Sequence, residues 1–390
     1  MSFSFKGEVP ASKSLYNRAL ITQSYFPELK LLGNSNCDDV VYMKSGLAEM
    51  FSRSSQVYCG DGGTTFRFLA LRASRESGEF LIAGTPRLLE RPQDDLVDLL
   101  KVFGVKSELS PQGLKIQTTG WQEPHQPLLV DTSRSSQFAS SLFLNAWNLP
   151  FDLEVEILGT LSESYLKLTL EFLESLGMQI LKSGKKYRVP KNQMLKYFEY
   201  RVESDVSSCF SIAGLAAVAG RAQILNFPFT SQQPDLKFID FLEEMGVTLQ
   251  KTKTDLIIEG PQRLKPLKAD LSQCPDLFPV LAMVCAKAQG ESYLGNAPQL
   301  VHKESNRIQK VSDLLTGVGI RHEILSDGMK IFGQGKSFAD KSFDFDPDND
   351  HRMVMAASVL NVLGAKVHIL TPEVINKSYP EFLEVVRSSV

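Results

Sequence analysis

The feature that most restricts the fold of this chain is an internal repeat. An amphipathic helical pattern that ends in glycine is followed each time by a short hairpin whose second strand alternates apolar and polar residues. The four clear copies end their helices at Gly104, Gly177, Gly246 and Gly319, roughly seventy residues apart. That period is too long for a solenoid repeat and fits a βαβαββ unit. The sequence therefore predicts an α/β fold built by repetition.

The length of the chain favours two domains. At 390 residues it exceeds the size at which one hydrophobic core usually stops growing. The segment Glu203-Ser204-Asp205 lies near the middle of the chain, before an apolar helical pattern. It is the best single candidate for a crossing between two halves, although no Gly/Ser linker marks it.

Composition and charge exclude several classes of function. The net charge of −3 lacks the basic excess that binding to nucleic acid requires. Five scattered cysteines without a Cys-x-x-Cys pair predict reduced thiols, and five histidines without ligand spacing predict no metal site. We find no signal core and no apolar stretch that could span a bilayer, so a cytoplasmic protein without a membrane partner is expected.

Residues that cap helices recur at the starts of apolar helical patterns. They are Ser12 with Ser14, Thr64, Ser135-Ser136, Ser207-Ser208, Asp276 and Asp350. Repeated units packed side by side would bring several helix N-termini, with their free N–H groups and partial positive charge, around one space that favours anions. Capped helices are also common without any ligand, so capping alone leaves this interpretation open.

Three segments at predicted helix starts could carry chemistry. Lys13 and Arg18, one turn apart in a Ser-flanked segment, could hold a phosphate or carboxylate. The glycines of the segment 60–67 could let backbone N–H groups approach a ligand, although it is not a nucleotide-binding loop. Lys303 and Arg307 flank Glu304, a possible proton donor or acceptor. Each segment alone is also consistent with a solvated helix start or a structural turn.

Seven motifs in a fixed order point to one family. They are Ser-Lys-Ser-x-x-Asn-Arg, Gly-x-x-Gly-Thr-Thr-x-Arg, Glu-Arg-Pro, Ser-Ser-Gln-Phe, Pro-Asp-Leu-Phe-Pro, Lys-Glu-Ser-x-Arg and Asp-His-Arg-Met. This series resembles the 5-enolpyruvylshikimate-3-phosphate synthase family of enolpyruvyl transferases. The match runs from Lys13 to Lys377 and so covers nearly the whole chain.

The resemblance implies the fold and the reaction. It implies two domains made of six βαβαββ units, an inside-out α/β barrel, with three units in an upper domain at 13–203 and three in a lower domain of 1–12 and 204–390. The active site is expected in a cleft between them. The implied reaction transfers the enolpyruvyl group of phosphoenolpyruvate to the 5-hydroxyl of shikimate-3-phosphate and releases phosphate, without a cofactor, in a monomer.

The resemblance also assigns the site residues. Shikimate-3-phosphate is expected to contact Lys13, Ser14, Arg18, Ser135, Ser136, Gln137, Ser162, Tyr165, Asp276 and Lys303. Phosphoenolpyruvate is expected to contact Lys13, Gly63, Arg91, Gln137, Arg307, Arg352 and Lys377, and the inhibitor glyphosate is expected to compete there. Asp276 would take the proton of the 5-hydroxyl, and Glu304, with Lys13 nearby, would protonate the enol methylene.

The chain departs from the family pattern at three positions. Asp61 replaces the usual Asn and could bring a negative charge close to an anionic substrate. Asn306 replaces an Asp that could orient Lys303 or Arg307. Ala11 replaces a frequent Gly, which is a mild change.

Three alternatives stay open. The related transferase that acts on UDP-N-acetylglucosamine usually carries a Cys before its Arg-Pro motif and opens with Lys-Asn, whereas 83–92 contains no Cys and Lys13 is followed by Ser14. Transfer to a different cyclic acid is a second alternative. A binding protein without catalysis is the third, prompted by Asp61 and Asn306 and opposed by the intact Asp276 and Glu304.

Overall fold

The computed structural model of the protein describes residues 2–133, 135–159, 163–260 and 263–390. The chain forms two compact units. The continuous unit consists of 11–203, and the split unit consists of 1–10 together with 204–390.

The chain passes between the units within the segment where a crossing was expected. The boundary lies between Glu203 and Ser204. Ala11 and Ser12 are expected in the lower domain, with 1–10, but belong to the continuous unit. The reason is backbone pairing, since the Ser12 N–H donates to the carbonyl of Glu203 at 2.8 Å and the Ala11 N–H donates to that of Asn34 at 3.0 Å.

Strands and helices alternate along both units. Within the described residues the strands β1 to β20 are, in chain order, Phe3–Gly7, Lys30–Leu32, Val57–Tyr58, Ser77–Ala83, Lys106–Ser110, Gly113–Thr119, Leu128–Asp131, Leu153–Leu158, Leu181–Ser183, Lys186–Val189, Glu199–Arg201, Gly220–Ile224, Thr248–Lys251, Leu256–Glu259, Lys268–Asp270, Gln289–Gly295, His322–Leu325, Gly328–Gln334, Ser342–Phe345 and Lys366–Ile369. The helices α1 to α13 are Lys13–Gln23, Asp38–Phe51, Gly63–Ser74, Pro86–Leu89, Asp94–Val102, Gln137–Leu144, Glu163–Ser175, Val206–Ala219, Phe238–Glu244, Phe278–Lys287, Arg307–Gly317, His351–Val362 and Phe382–Ser388. Short 3-10 helices lie at Pro234–Lys237, Pro275–Leu277, Pro298–His302 and Pro372–Lys377.

The continuous unit contains three sheets among its described residues. Two have four strands, in the orders β3-β4-β6-β5 and β7-β8-β10-β9. In each of them the first pair is parallel and the other pairs are antiparallel. The third is the parallel pair β2-β11, in which Lys30 lies opposite Glu199. These sheets follow the predicted βαβαββ order, with one repeat reduced to two strands.

The split unit repeats the same plan. Its four-stranded sheets have the orders β1-β12-β14-β13 and β15-β16-β18-β17, and β19 pairs with β20. Phe3 lies opposite Gly220 in a parallel pair, so the first strand of the chain completes a sheet made from the second half. The predicted α/β fold of repeated units in two domains is confirmed, with four full repeats and two short ones in the described residues.

The glycines that define the sequence repeat stop helices. Gly104, Gly177, Gly246 and Gly319 have φ angles of 72°, 99°, 89° and 73°. A side chain strains the backbone in this left-handed region, so glycine is favoured where a helix ends and the chain turns back. The four predicted hairpins that follow are β5-β6, β9-β10, β13-β14 and β17-β18.

Three buried helices lie inside each unit. In the split unit α8, α10 and α12 contact one another, and in the continuous unit α1, α3 and α6 do so. Every residue of α10 from Phe278 to Ala286 is buried, as expected for a helix that is apolar on all sides. The first residues of α1, α3 and α6 are Lys13, Gly63 and Gln137. The helix starts of the fold therefore carry residues that the sequence had singled out.

Candidate active site

Arg307 lies at the centre of a charged cluster in the split unit. It is the first residue of α11, and its side chain is 1% exposed. Its Nε donates to Oδ2 of Asp350 at 2.8 Å, Nη1 to Oδ1 of Asp276 at 2.7 Å and Nη2 to Oε2 of Glu304 at 2.9 Å. The guanidinium is planar with five N–H donors, so one arginine can hold three carboxylates.

Further cations approach the same carboxylates. Nη2 of Arg352 donates to Oδ2 of Asp276 at 2.8 Å, and Nζ of Lys303 lies 3.4 Å from its Oδ1. Nζ of Lys377 lies 3.8 Å from Oε1 of Glu304. We call this group the Arg307 cluster; its members are Asp276, Lys303, Glu304, Arg307, Asp350, Arg352 and Lys377. All but Asp350 are residues that the resemblance assigned to the site, and the structure brings them together.

The N-termini of the three buried helices meet at this cluster. Asp350 is the N-cap of α12 and accepts a hydrogen bond from the backbone N–H of Arg352 at 3.0 Å. Asp276 lies in the 3-10 turn directly before α10. Nη1 of Arg352 also donates to Oγ of Ser207, the second residue of α8. The capping pattern predicted this convergence, which adds the partial positive charge of helix ends to the site.

Burial and neighbouring charge act against each other on the titratable groups. Burial raises the pKa of Asp276, but Arg352, Lys303 and Arg307 outweigh it and hold that pKa well below its usual range. Burial lowers the pKa of Arg307, but Asp350, Asp276 and Glu304 raise it well above the ordinary value. Asp276 and Arg307 are therefore both charged at neutral pH.

The candidate lysine of the continuous unit is held by a carboxylate. Lys13 starts α1 after the N-cap Ser12, and its Nζ lies 2.8 Å from Oδ2 of Asp39. The two side chains are 14% and 10% exposed. The carbonyl of Asp39 accepts a hydrogen bond from Oγ1 of Thr65 in α3, so α2 joins the starts of α1 and α3.

Arg18, Ser14 and Tyr165 are neighbours. The buried guanidinium of Arg18 donates to the carbonyl of Ser14 at 2.7 Å, to that of Tyr165 at 3.4 Å and to Oγ1 of Thr169 at 2.8 Å. Burial lowers the pKa of Arg18 to about 10, and the nearby Tyr165 and Tyr200 act in the opposite direction. Arg18 therefore stays charged at neutral pH and ties α1 to α7.

Gly63 makes room for a second guanidinium. A Cβ at this position would lie 2.8 Å from Nη1 of Arg91. The Asp61 carboxylate accepts a hydrogen bond from Oγ1 of Thr85, the N-cap of α4. The unusual Asp61 thus ties the glycine-rich loop to the segment that leads to Arg91.

Gln137 begins α6 and is joined to α3. Its backbone N–H donates to Oγ of Ser135 at 3.2 Å, and the buried Ser136 is the N-cap. Its amide oxygen accepts a hydrogen bond from Nη1 of Arg67 at 2.6 Å. Ser162, another expected contact of shikimate-3-phosphate, lies outside the described residues.

The departure at position 306 preserves a structural role. Asn306 is the N-cap of α11, and its side-chain oxygen accepts a hydrogen bond from the backbone N–H of Gln309 at 3.2 Å. Asn and Asp are about equally good in this position. The helix that presents Arg307 therefore keeps its cap.

Sequence reasoning did not assign several residues that contact the candidate site. Asp350 and Ser207 had a signal, because both stand in the predicted caps. Arg67 closes the glycine-rich motif, but the resemblance assigns it no contact with a substrate. Asp39 and Thr169 had no signal, because the contacts that they make come from distant parts of the chain.

Three further observations concern metal ligands, membrane spans and cysteines. In the part of the chain that the structure describes, no group of three His, Cys, Asp or Glu side chains could hold a metal ion. No helix there is long and apolar enough to cross a membrane. The five cysteines are buried.

The fold of the chain matches that of a solved protein. The solved EPSP synthase from Acinetobacter baumannii matches with a TM-score of 0.77 at 20% sequence identity, over 100% of this chain and 96% of that one. The two chains therefore share one fold.

Sequence comparison then identifies the family. Residues 22–386 match the family model described as EPSP synthase (3-phosphoshikimate 1-carboxyvinyltransferase). The 3-phosphoshikimate 1-carboxyvinyltransferase of Pyrococcus abyssi is 35% identical over 324 residues, 83% of this chain and 76% of that protein. The enzyme of that name from Pyrococcus furiosus is 32% identical over 380 residues, 95% and 90% of the two chains. The chain belongs to the EPSP synthase family.

Proposed function

We propose that the protein transfers the enolpyruvyl group of phosphoenolpyruvate to the 5-hydroxyl of shikimate-3-phosphate and releases phosphate, as a step of the shikimate pathway. The observation that carries this proposal is the Arg307 cluster, in which a candidate base, a candidate acid and four cations lie in contact. Membership of the EPSP synthase family supports the same reaction.

Phosphoenolpyruvate, with a carboxylate and a phosphate, needs several cations. We assign it to the guanidinium and ammonium groups of Arg91, Arg307, Arg352 and Lys377, since arginine forks match the geometry of both anions. Gly63 and Gln137 would complete that set, with Lys13 shared between the two substrates. The remaining contacts of shikimate-3-phosphate would be Ser14, Arg18, Ser135, Ser136, Ser162, Tyr165, Asp276 and Lys303, with Gln137 against the ring.

Asp276 is the proposed base. Its carboxylate would take the proton of the 5-hydroxyl while that oxygen attacks C2 of phosphoenolpyruvate. Three cations hold its pKa low, which makes it a weak base on its own. Anionic groups bound to Arg307 and Arg352 would offset their charge, so the substrate itself would raise the proton affinity of Asp276.

Glu304 is the proposed acid. It would give a proton to C3 as the 5-oxygen bonds to C2, which produces a tetrahedral intermediate; C3 then returns a proton to the Glu304 carboxylate as the C2–O bond to phosphate breaks. Lys377 lies 3.8 Å from one oxygen of Glu304, and Arg307 lies 2.9 Å from the other. The helix N-termini and cations would stabilise the charge that develops on the leaving phosphate.

The test is phosphate release from phosphoenolpyruvate by purified protein, with and without shikimate-3-phosphate and with a chelator present. We expect release that requires shikimate-3-phosphate and is unaffected by the chelator. Binding of shikimate-3-phosphate without release would indicate a protein without catalysis. Release that requires another cyclic acid would indicate a different acceptor, and neither result would be compatible with the proposal.

We also propose that the enzyme is a cytoplasmic monomer that needs no cofactor. Support comes from the expectations for the family and from the scattered spacing of the five cysteines in the sequence, which lacks a Cys-x-x-Cys pair and suits a reducing compartment. Light scattering after size exclusion would test the monomer, and fractionation of cells would test the location. A stable dimer in solution would overturn the first point.

A further inference from the structure

Arg67 of α3 is a buried cation that contacts the segment before α5 and the start of α6. Its side chain is 4% exposed. Nε donates to Oε1 of Gln93 at 3.1 Å, Nη2 to the carbonyl of Pro92 at 3.2 Å and Nη1 to Oε1 of Gln137 at 2.6 Å. Its guanidinium carbon lies 4.6 Å from the ring centre of Phe138. All three nitrogens of the guanidinium are thus used to hold neighbouring segments.

The contact with Gln137 sets the direction of an amide. The oxygen of that amide accepts the hydrogen bond from Arg67, so the NH₂ group points away from the guanidinium, which has only donors. Gln137 stands at the start of α6, beside Ser135 and Ser136. An NH₂ group fixed there is a hydrogen-bond donor for an anionic or hydroxyl-bearing ligand.

The contacts with Pro92 and Gln93 hold the segment that carries Arg91. Gln93 is 1% exposed and is the N-cap residue of α5. Gly63 is the first residue of α3. A Cβ at this glycine would lie 2.8 Å from Nη1 of Arg91, so the Arg91 guanidinium lies close against Gly63. Arg67 is in the same helix as Gly63, one turn later. A single guanidinium in the helix of Gly63 therefore bonds both to Gln137 and to the two residues that follow Arg91.

We propose that Arg67 is a positioning residue for phosphoenolpyruvate: it turns the NH₂ of Gln137 toward the substrate and keeps Arg91 against Gly63. This inference rests on the proposed function, in which Gly63, Arg91 and Gln137 all contact that substrate. A lysine could not replace Arg67, because an ammonium is a compact point charge and lacks the fork that reaches three acceptors in different directions.

The first experiment separates positioning from stability. Arg67→Lys keeps the charge and should raise KM for phosphoenolpyruvate on the order of tenfold, the equivalent of one charge-assisted hydrogen bond, while KM for shikimate-3-phosphate changes less. The matched control is Arg72→Lys. Arg72 is in the same helix, is 2% exposed and donates to Ser24 and Glu76 instead. In thermal melting, Arg72→Lys should lose about as much stability as Arg67→Lys. It should leave KM for phosphoenolpyruvate and KM for shikimate-3-phosphate unchanged.

A second experiment tests the direction of the amide without changing Arg67. Gln137→Glu keeps an oxygen for Arg67 but places a second, anionic oxygen where the NH₂ was. Gln137→Met removes both groups at similar volume. If the NH₂ faces the substrate, Gln137→Glu should have the higher KM for phosphoenolpyruvate, on the order of tenfold above Gln137→Met. Equal or lower KM for the Glu variant would mean that the amide faces the other way.

These outcomes are distinct from a failure of the proposed function. If the wild-type protein releases no phosphate with shikimate-3-phosphate, the proposed function is wrong. If the wild type is active and Arg67→Lys leaves KM for phosphoenolpyruvate unchanged, or Arg72→Lys raises it equally, Arg67 is merely structural and the inference is wrong. Should Arg67→Lys fail to fold, the comparison at Gln137 decides.

Discussion

Nη1 of Arg307 lies 2.7 Å from Oδ1 of Asp276, so the proposed base and a proposed ligand of phosphoenolpyruvate form one ion pair. Arg352 holds the other oxygen of the same carboxylate at 2.8 Å. The basicity of Asp276 is therefore coupled to the charge of the two arginines that we propose as ligands of the substrate. The anionic substrate proposed to bind these arginines would offset their charge and so raise the proton affinity of Asp276.

Asp276→Asn should lower kcat on the order of 100-fold or more, because the amide keeps the size of the carboxylate but cannot accept a proton. Steady-state phosphate release measures the change. Asp270→Asn is the control, since Asp270 is an exposed residue of β15 whose carboxylate accepts a hydrogen bond from the N–H of Ser272. Its kcat should match the wild type. An unchanged kcat for Asp276→Asn would remove this residue from the mechanism.

Gly63→Ala should weaken inhibition by glyphosate and raise KM for phosphoenolpyruvate. The new methyl group would lie 2.8 Å from Nη1 of Arg91, so this guanidinium must move. Loss of one charge-assisted contact predicts that the inhibition constant of glyphosate and KM for phosphoenolpyruvate each rise on the order of tenfold. The control is Gly7→Ala, in which the nearest atom is a ring carbon of Phe5 at 3.1 Å. Equal inhibition of Gly63→Ala and wild type would contradict the placement of Gly63.

The repeat was predictable from sequence because it depends on local chemistry. Gly104 and Gly319, like the other two repeat glycines, stop helices in the left-handed conformation, and a hairpin follows each. The exact residues at which helices begin were harder to predict than the repeat. Gly62 rather than Thr64 caps α3, and Asp205 rather than Ser207 caps α8. A capping residue and its neighbours in the first turn have similar compositions, so the sequence alone does not fix the register.

The charged site was predictable only in part. Motif matches named Asp276, Glu304 and Arg307, and the structure joins them. The supporting partners were not found, because Asp39 meets Lys13 across 26 positions of sequence in a pair that no short motif contains. Residues that orient the side chains of a site contact them from distant segments of the chain. Such contacts leave no local pattern in the sequence.

Asp235 should make the stability of the protein depend on pH. Burial and the charge of Asp276 raise the pKa of Asp235 to about 7. Arg352 and a hydrogen bond with Ser207 lower this pKa by less, and the negative charge of Asp205 adds a small rise. In the unfolded chain this carboxyl ionises near 3.8. The folded state thus binds the proton more tightly, and stability is lost as pH rises from about 4 to about 7.

Asp235→Asn removes that titration. Each pH unit between the two pKa values corresponds to about 1.4 kcal/mol, so the variant should gain up to ~4 kcal/mol relative to wild type at pH 8 and little at pH 4. Urea unfolding across this range measures the difference. Asp240→Asn is the control, because Asp240 is exposed and pairs with Lys237 at the surface. A difference that is constant with pH would show that Asp235 ionises normally in the folded protein.

Arg307→Met should destabilise the split unit strongly. Asp350 is 0% exposed and receives two hydrogen bonds from Arg307, so the variant leaves a buried carboxylate without its main cation. Breaking a buried pair from one side costs about 3–5 kcal/mol.

Arg221→Met provides the contrast within the same unit. Arg221 pairs with Glu259 at 3.1 Å, but both side chains are about half exposed, and such pairs contribute about 1 kcal/mol or less. Urea unfolding of both variants should therefore separate them by several kcal/mol. Adding Asp350→Asn to Arg307→Met should restore part of the lost free energy of unfolding, because burial of a neutral amide costs less free energy than burial of an unpaired charge. If the double variant were no more stable than Arg307→Met, the loss would come from the packing of the guanidinium and not from the charge that it neutralises.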